Sequence, residues 1–125
     1  MTDINQPDVL AEVTAAFERY EAALVGNDVA TLDALFWDSP HTIRYGVGEN
    51  LYGFAAIHAF RAVRPAVGLA RQVLRTQITT YGQGTAATHI EFQREGSTRV
   101  GRQTQTWIKT PEGWRVVSAH VSLMA

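Results

Sequence analysis

The feature that most constrains this chain is a change of period. Up to about residue 64 its apolar residues recur at three- and four-residue steps. Beyond that, residues 70–81, 85–95, 98–109 and 114–124 carry β-branched and aromatic side chains, separated by GQG, EGS and TPEG. These separators are hairpin turn chemistry, so the second half predicts a four-stranded antiparallel meander. In the first half, Leu10, Val13, Phe17, Tyr20 and Leu24 share one face of a helix that Pro7 opens and that runs to about Val25. Gly26-Asn27 ends it, and Asp28 can cap a second helix whose Leu32, Leu35 and Phe36 face inward before Ser39-Pro40. A third helix from about Phe54 to Arg64 stops at Pro65. Helices first and a long meander second predict an α+β domain with the helices covering one face of a curved sheet. Such a sheet closed by helices is a cone, and a cone holds a pocket. Its other face must meet water or a partner, and an apolar-bearing convex face is expected, which favours a homodimer.

The 125 residues, 46% of them hydrophobic, suffice for one core and one domain spanning 1–125. A formal charge of −1 provides no field that would favour nucleic acid or an anionic membrane. The start, MTDINQPDVL, lacks the basic and apolar regions of a signal peptide, and no apolar run is long enough to span a membrane, so a cytoplasmic protein is expected. The chain has no cysteine, which removes disulfides, thiolate nucleophiles and cysteine-ligated metal. His41, His58, His89 and His120 have no metal-ligand spacing, and no G-x-S-x-G elbow surrounds any serine. The single lysine, Lys109, sits at a strand end beside a turn, where a Schiff-base lysine is not expected. Neither a metal nor a cofactor is therefore expected.

The stretch TIRYGVGENLYG, residues 42–53, places Arg44 in a short strand at 41–45 before a glycine-rich turn. Its spacing, G-x-G-x-x-x-x-G, is that of neither a dinucleotide nor a phosphate loop. Gly46, Gly48 and Gly53 instead let the backbone turn, with positive φ where needed. Alternation puts Arg44 with Thr42, opposite Ile43 and Tyr45, and leaves open which pair faces inward. Composition alone makes Arg44 a surface residue. Arg61 and Arg64 flank the Ile57/Phe60 stripe of the third helix, where they reach over a pocket mouth or snorkel, with Arg64 expected to be solvated. Tyr20 lies on the buried helix face, either as core with a tethered hydroxyl or, beside a buried arginine, as a positioned acid. His120 shares a strand face with Ser118 and Ser122, which is either a pocket wall or a wet dimer face. Glu91, alone among the acids in lying mid-strand, can pair with a neighbouring arginine. Trp37, Trp107 and Trp114 read as bulk, with Trp37 near the expected pocket. An isomerase or cyclase would need a cavity carboxylate, for which Asp38 is the nearest candidate.

The runs FERYEAAL, DALFWDSPHTIRYGVGENLYGFAAIHAFRAVR, GRQTQTWIK and WRVVSAHVS together resemble the AtzH-like group of the SnoaL-like, nuclear transport factor 2-like superfamily, over nearly the whole chain. The resemblance implies a cone-shaped α+β homodimer with one cavity per subunit. It implies a cofactor-independent, decarboxylating amidohydrolase that converts 1,3-dicarboxyurea to allophanate in cyanuric acid catabolism. Relatives beside amidase genes imply related ureide substrates and a pathway association with an amidase. The family's tyrosine and arginine fall on Tyr20 and Arg44, the first as proton donor or water-orienting group, the second as a bidentate clamp for a small carboxylate substrate. Trp37, Arg61, Gln103, Trp107 and His120 are the further candidates for substrate binding. A non-catalytic ligand-binding or accessory protein is the competing reading.

Overall fold

In the computed structural model, which describes residues 3–125, the elements run α1 (Pro7–Val25), α2 (Val29–Leu35), β1 (Ile43–Tyr45), β2 (Asn50–Tyr52), α3 (Phe54–Val63), β3 (Arg71–Tyr81), β4 (Thr85–Arg94), β5 (Val100–Thr110) and β6 (Gly113–Leu123). The α+β cone and all three helices are as the sequence implies. The sheet is larger than the meander. Its six strands are ordered β2-β1-β6-β5-β4-β3, with β1 parallel to β6 and antiparallel to β2. The sequence reading misses β2 because three residues are too few to show a period.

Each helix buries the face its sequence marks. Val9, Val13, Phe17, Tyr20 and Leu24 of α1 pack into the core with Leu32, Leu35 and Phe36. Asp28 caps α2 by accepting from the Thr31 N–H at 3.2 Å. After α3, Arg64 is already extended, as the residue before Pro65 must be. Among the described residues, no helix is long and apolar enough to cross a membrane.

Two irregularities shape the cone. Between Thr106–Ser118 and Trp107–Val116 the pairing skips Val117, and between Val73 and Arg75 it skips Leu74. An extra residue bends a strand and reverses the face that later residues present. In β6 the reversal lets Trp114 and Val116 face the core on one side of the bulge, and Ala119 and Val121 on the other. In β3 it allows Arg71 and Thr80, nine residues apart, both to point inward.

Candidate functional site

Two of the glycines in residues 42–53 have distinct physical reasons. Gly53 adopts a φ of 88°, which suits glycine, as it hands the chain to α3. At Gly46 the backbone is unstrained, but an added Cβ would lie 1.7 Å from Glu49 Oε1. The missing side chain lets Glu49 fold back and accept a 2.8 Å hydrogen bond from Arg44 Nη1. Arg44 is only 8% exposed, so Arg44 of β1 faces inward with Thr42, which lies just before the strand. Ala119, its neighbour on β6, leaves space for the arginine stem.

Arg44 and Tyr20 line one chamber of about 30 Å³ under the open end of the cone. Tyr20 is 3% exposed, packs 6.1 Å from the Phe36 ring, and hydrogen-bonds to none of the described residues. Leu24 and Val121 supply apolar wall, and Gln103 supplies an amide. Three more guanidinium groups converge there, from Arg64, Arg71 and Arg94. Arg44, Arg64 and Arg94 also border an outer vestibule of about 240 Å³, rimmed by Val47, Phe60 and Val67. The chamber has room for about one water, so a ligand of several heavy atoms must extend into the vestibule or displace an arginine side chain.

The charges are unevenly paired. Arg71 donates to both Glu21 oxygens, at 2.9 and 2.7 Å, donates to Gln103 Oε1 at 3.1 Å, and lies over the Phe92 ring at 4.4 Å. Arg44 has Glu49. Among the described residues, Arg64 and Arg94 have no ion-pair partner. Four guanidinium groups facing two carboxylates leave a surplus of two positive charges. Burial, reinforced by Arg44, pushes the Arg64 pKa down, and burial with Arg71 and Arg44 does the same to Arg94. Arg64 Nε and Nη2 and Gln103 Nε2 are buried without a hydrogen-bond partner. Each unmet donor costs about 1–3 kcal/mol, which a bound anion would relieve.

Several expectations need correction. Arg64 is half-buried rather than solvated, because its pre-proline backbone turns the side chain back over Phe60. Arg61 is 2% exposed and lies 4.1 Å over the Phe36 ring, outside the chamber lining. Its Nη1 is 3.7 Å from Asp33 Oδ1, and burial pushes its pKa down to about 10. Trp107 is core, its indole N–H donating to Thr88 Oγ1 at 3.0 Å. Trp37 borders a separate groove beneath α2, with Asp38 and Arg115, so Asp38 is not a chamber carboxylate either. His120 lies on the outer sheet face, edge-on to Tyr45, because the Val117 bulge turns it away from the chamber. Glu91 is exposed on that face, between Arg75 and Arg102 in register but without an ion pair among the described residues. Of the candidates beyond Tyr20 and Arg44, Gln103 reaches the chamber.

The sequence reading assigned no site role to Arg71, Arg94, Glu21 or Glu49. Glu49 follows two glycines two residues apart, a spacing that leaves room for a carboxylate to fold back. Arg71 and Glu21 are fifty residues apart and gave no local signal. Among the described residues, no group of three or more His, Asp and Glu side chains is placed to hold a metal ion.

Helices capping a strongly bent sheet over a polar chamber define a cystatin-like fold, the one also called nuclear transport factor 2-like. Within that class the chain belongs to the AtzH-like family, whose model matches residues 2–125. A protein of unknown function from Pectobacterium atrosepticum is 63% identical, with a TM-score of 0.97 over 98% of this chain and 96% of its own. A cystatin-like fold protein from Burkholderia xenovorans is 45% identical, with a TM-score of 0.95 over 100% and 98%. A nuclear transport factor 2-like superfamily protein from Salmonella enterica, 24% identical, shares the fold at a TM-score of 0.77 over 94% and 92%. No curated protein matches the chain.

Proposed function

We propose that this protein is a cofactor-independent decarboxylating hydrolase acting on a small ureide or carbamate carboxylate such as 1,3-dicarboxyurea. The observation that carries the reading is the shared chamber: Tyr20 and Arg44 line the same positively charged, largely buried space. An N-carboxylate loses CO₂ when its nitrogen gains a proton and the C–N bond breaks, the bonding pair remaining on nitrogen. From 1,3-dicarboxyurea, one proton in and one CO₂ out give allophanate. Neither a metal nor an electron carrier is needed for that balance. Arg44 holds a carboxylate beside Tyr20, whose phenol supplies the proton directly or through a water and recovers it from solvent. The low-dielectric walls of Leu24 and Val121 strengthen both interactions. The functional unit is a homodimer joined through the outer sheet face, and association with an amidase would place the allophanate-type product beside its consumer.

The test is CO₂ release from 1,3-dicarboxyurea by purified protein, measured against buffer. Acceleration is expected, and Tyr20→Phe and Arg44→Ala should each remove at least about 100-fold of it. Tyr20→Phe should cost under about 1 kcal/mol of stability, since its hydroxyl has no protein partner to lose. No acceleration for any ureide carboxylate would overturn the reading and leave a ligand-binding protein.

A further inference from the structure

The chamber contains two positive regions that are not equivalent. Arg44 is met from the vestibule side by Glu49, which also receives the Gly48 N–H at 3.3 Å. Arg64 and Arg94 have no carboxylate partner, and both line the chamber and the vestibule. Gln103, 3% exposed, lines the same chamber; its carbonyl oxygen is bound by Arg71 and its amide Nε2 has no partner among the described residues. One carboxylate at Arg44 would leave Arg64 Nε and Nη2 and Gln103 Nε2 unmet.

We infer that Arg64, Arg94 and Gln103 form a second anion seat, which holds the carboxylate that is not released and makes the site selective for a dianion over a monoanion. This rests on the proposed decarboxylation only for the word released. A carboxylate leaving as CO₂ loses its charge in the transition state, so a tight ion pair to it stabilises the ground state more and slows the step. The strong grip belongs on the carboxylate that keeps its charge. Glu49 is ion-paired directly with Arg44 and acts on Arg64 and Arg94 only from a distance. The leaving group therefore sits at Arg44 beside Tyr20, and the retained carboxylate at the unpaired pair. Arg64 and Gln103 are specificity-determining residues in this arrangement, and the proton transfer does not pass through them.

Calorimetric titration with malonate, succinate and acetate, none of which can react, reads the seat independently of turnover. At low ionic strength the better-fitting dicarboxylate should bind at least about tenfold more tightly than acetate. Arg64→Met and Gln103→Leu should each remove most of that advantage, bringing the dicarboxylates down toward acetate, and Arg64→Lys should restore part of it. Thermal unfolding of each variant checks that it is folded, and Gln103→Leu, which removes no charge, guards against a charge effect on folding. Equal binding of acetate and both dicarboxylates, or an Arg64→Met protein that keeps the full dicarboxylate-to-acetate affinity ratio, would overturn the seat. Dianion selectivity without CO₂ release would sink the proposed activity and leave the seat standing. Turnover with an unchanged KM for 1,3-dicarboxyurea in Arg64→Met would do the reverse.

Discussion

At the residue scale, the informative pair is Gly46 and Glu49. The glycine's φ is not positive, so alanine is allowed by the backbone and excluded by the carboxylate that lies where its Cβ would go. The end of a flexible side chain can move. Gly46→Ala should therefore fold normally but drive Glu49 off Arg44, giving the same phenotype as Glu49→Gln. With Arg44 no longer attenuated, both variants should bind substrate more tightly and turn it over more slowly, KM and kcat falling together by several-fold. Each should lose only about 0.5–1 kcal/mol of stability, because Glu49 is partly solvated. Steady-state kinetics and urea unfolding check this, and an unchanged kcat in both variants would show that Glu49 only fills space. Arg44 itself shows what could be read at this scale. Alternation in a three-residue strand cannot choose a face, and the family resemblance, not the period, points Arg44 inward. Arg64 departs from the expected solvated position because helical spacing says nothing of a side chain attached to the first non-helical residue.

At the element scale, alternation located the long strands to within two residues and failed where a residue was inserted. Trp114, Val116, Ser118 and His120 would share one face of an uninterrupted strand. The Val117 bulge divides them, sending the first two into the core and the last two outside. No residue type signals that bulge. The Arg71 position depends similarly on the unpaired Leu74, which is why the Arg71–Glu21 pair could not be seen in the sequence. The β4–β5 pairing offers a test of how the strands support the site. Phe92 lies opposite Gly101, its ring fully buried, and both Arg71 and Arg94 rest on that ring, at 4.4 and 5.5 Å. A Cβ on Gly101 would come within 2.2 Å of the ring edge. Packed between strands and arginines, the ring has nowhere to go without moving them. Gly101→Ala should cost about 2–3 kcal/mol in urea unfolding and weaken malonate binding as well. A variant of wild-type stability would mean that β5 can shift away from Phe92 at no cost.

At the scale of the whole molecule, the two faces of one sheet carry different chemistry. The inner face concentrates a positive surplus in a chain whose net charge is −1. The outer face is polar in ordered rows: Gln77, His89, Thr104 and His120 lie side by side across four strands, and Arg75, Glu91 and Arg102 alternate in sign across three. A two-fold copy of such a face can bring each Glu91 near a partner arginine, which gives a self-complementary, wet interface rather than an apolar one. This is the face through which the proposed homodimer would join, and Thr104, between His89 and His120, lies near its middle. Thr104→Arg would bring two like charges close to the two-fold axis. Sedimentation should then show the 13.8 kDa monomer in place of the wild-type dimer, with the dependence on protein concentration lost. Because Thr104 points away from the chamber, the variant should keep its preference for dicarboxylates within about threefold. A wild-type monomer at micromolar concentration, or a Thr104→Arg protein that remains dimeric, would place the interface elsewhere or remove it.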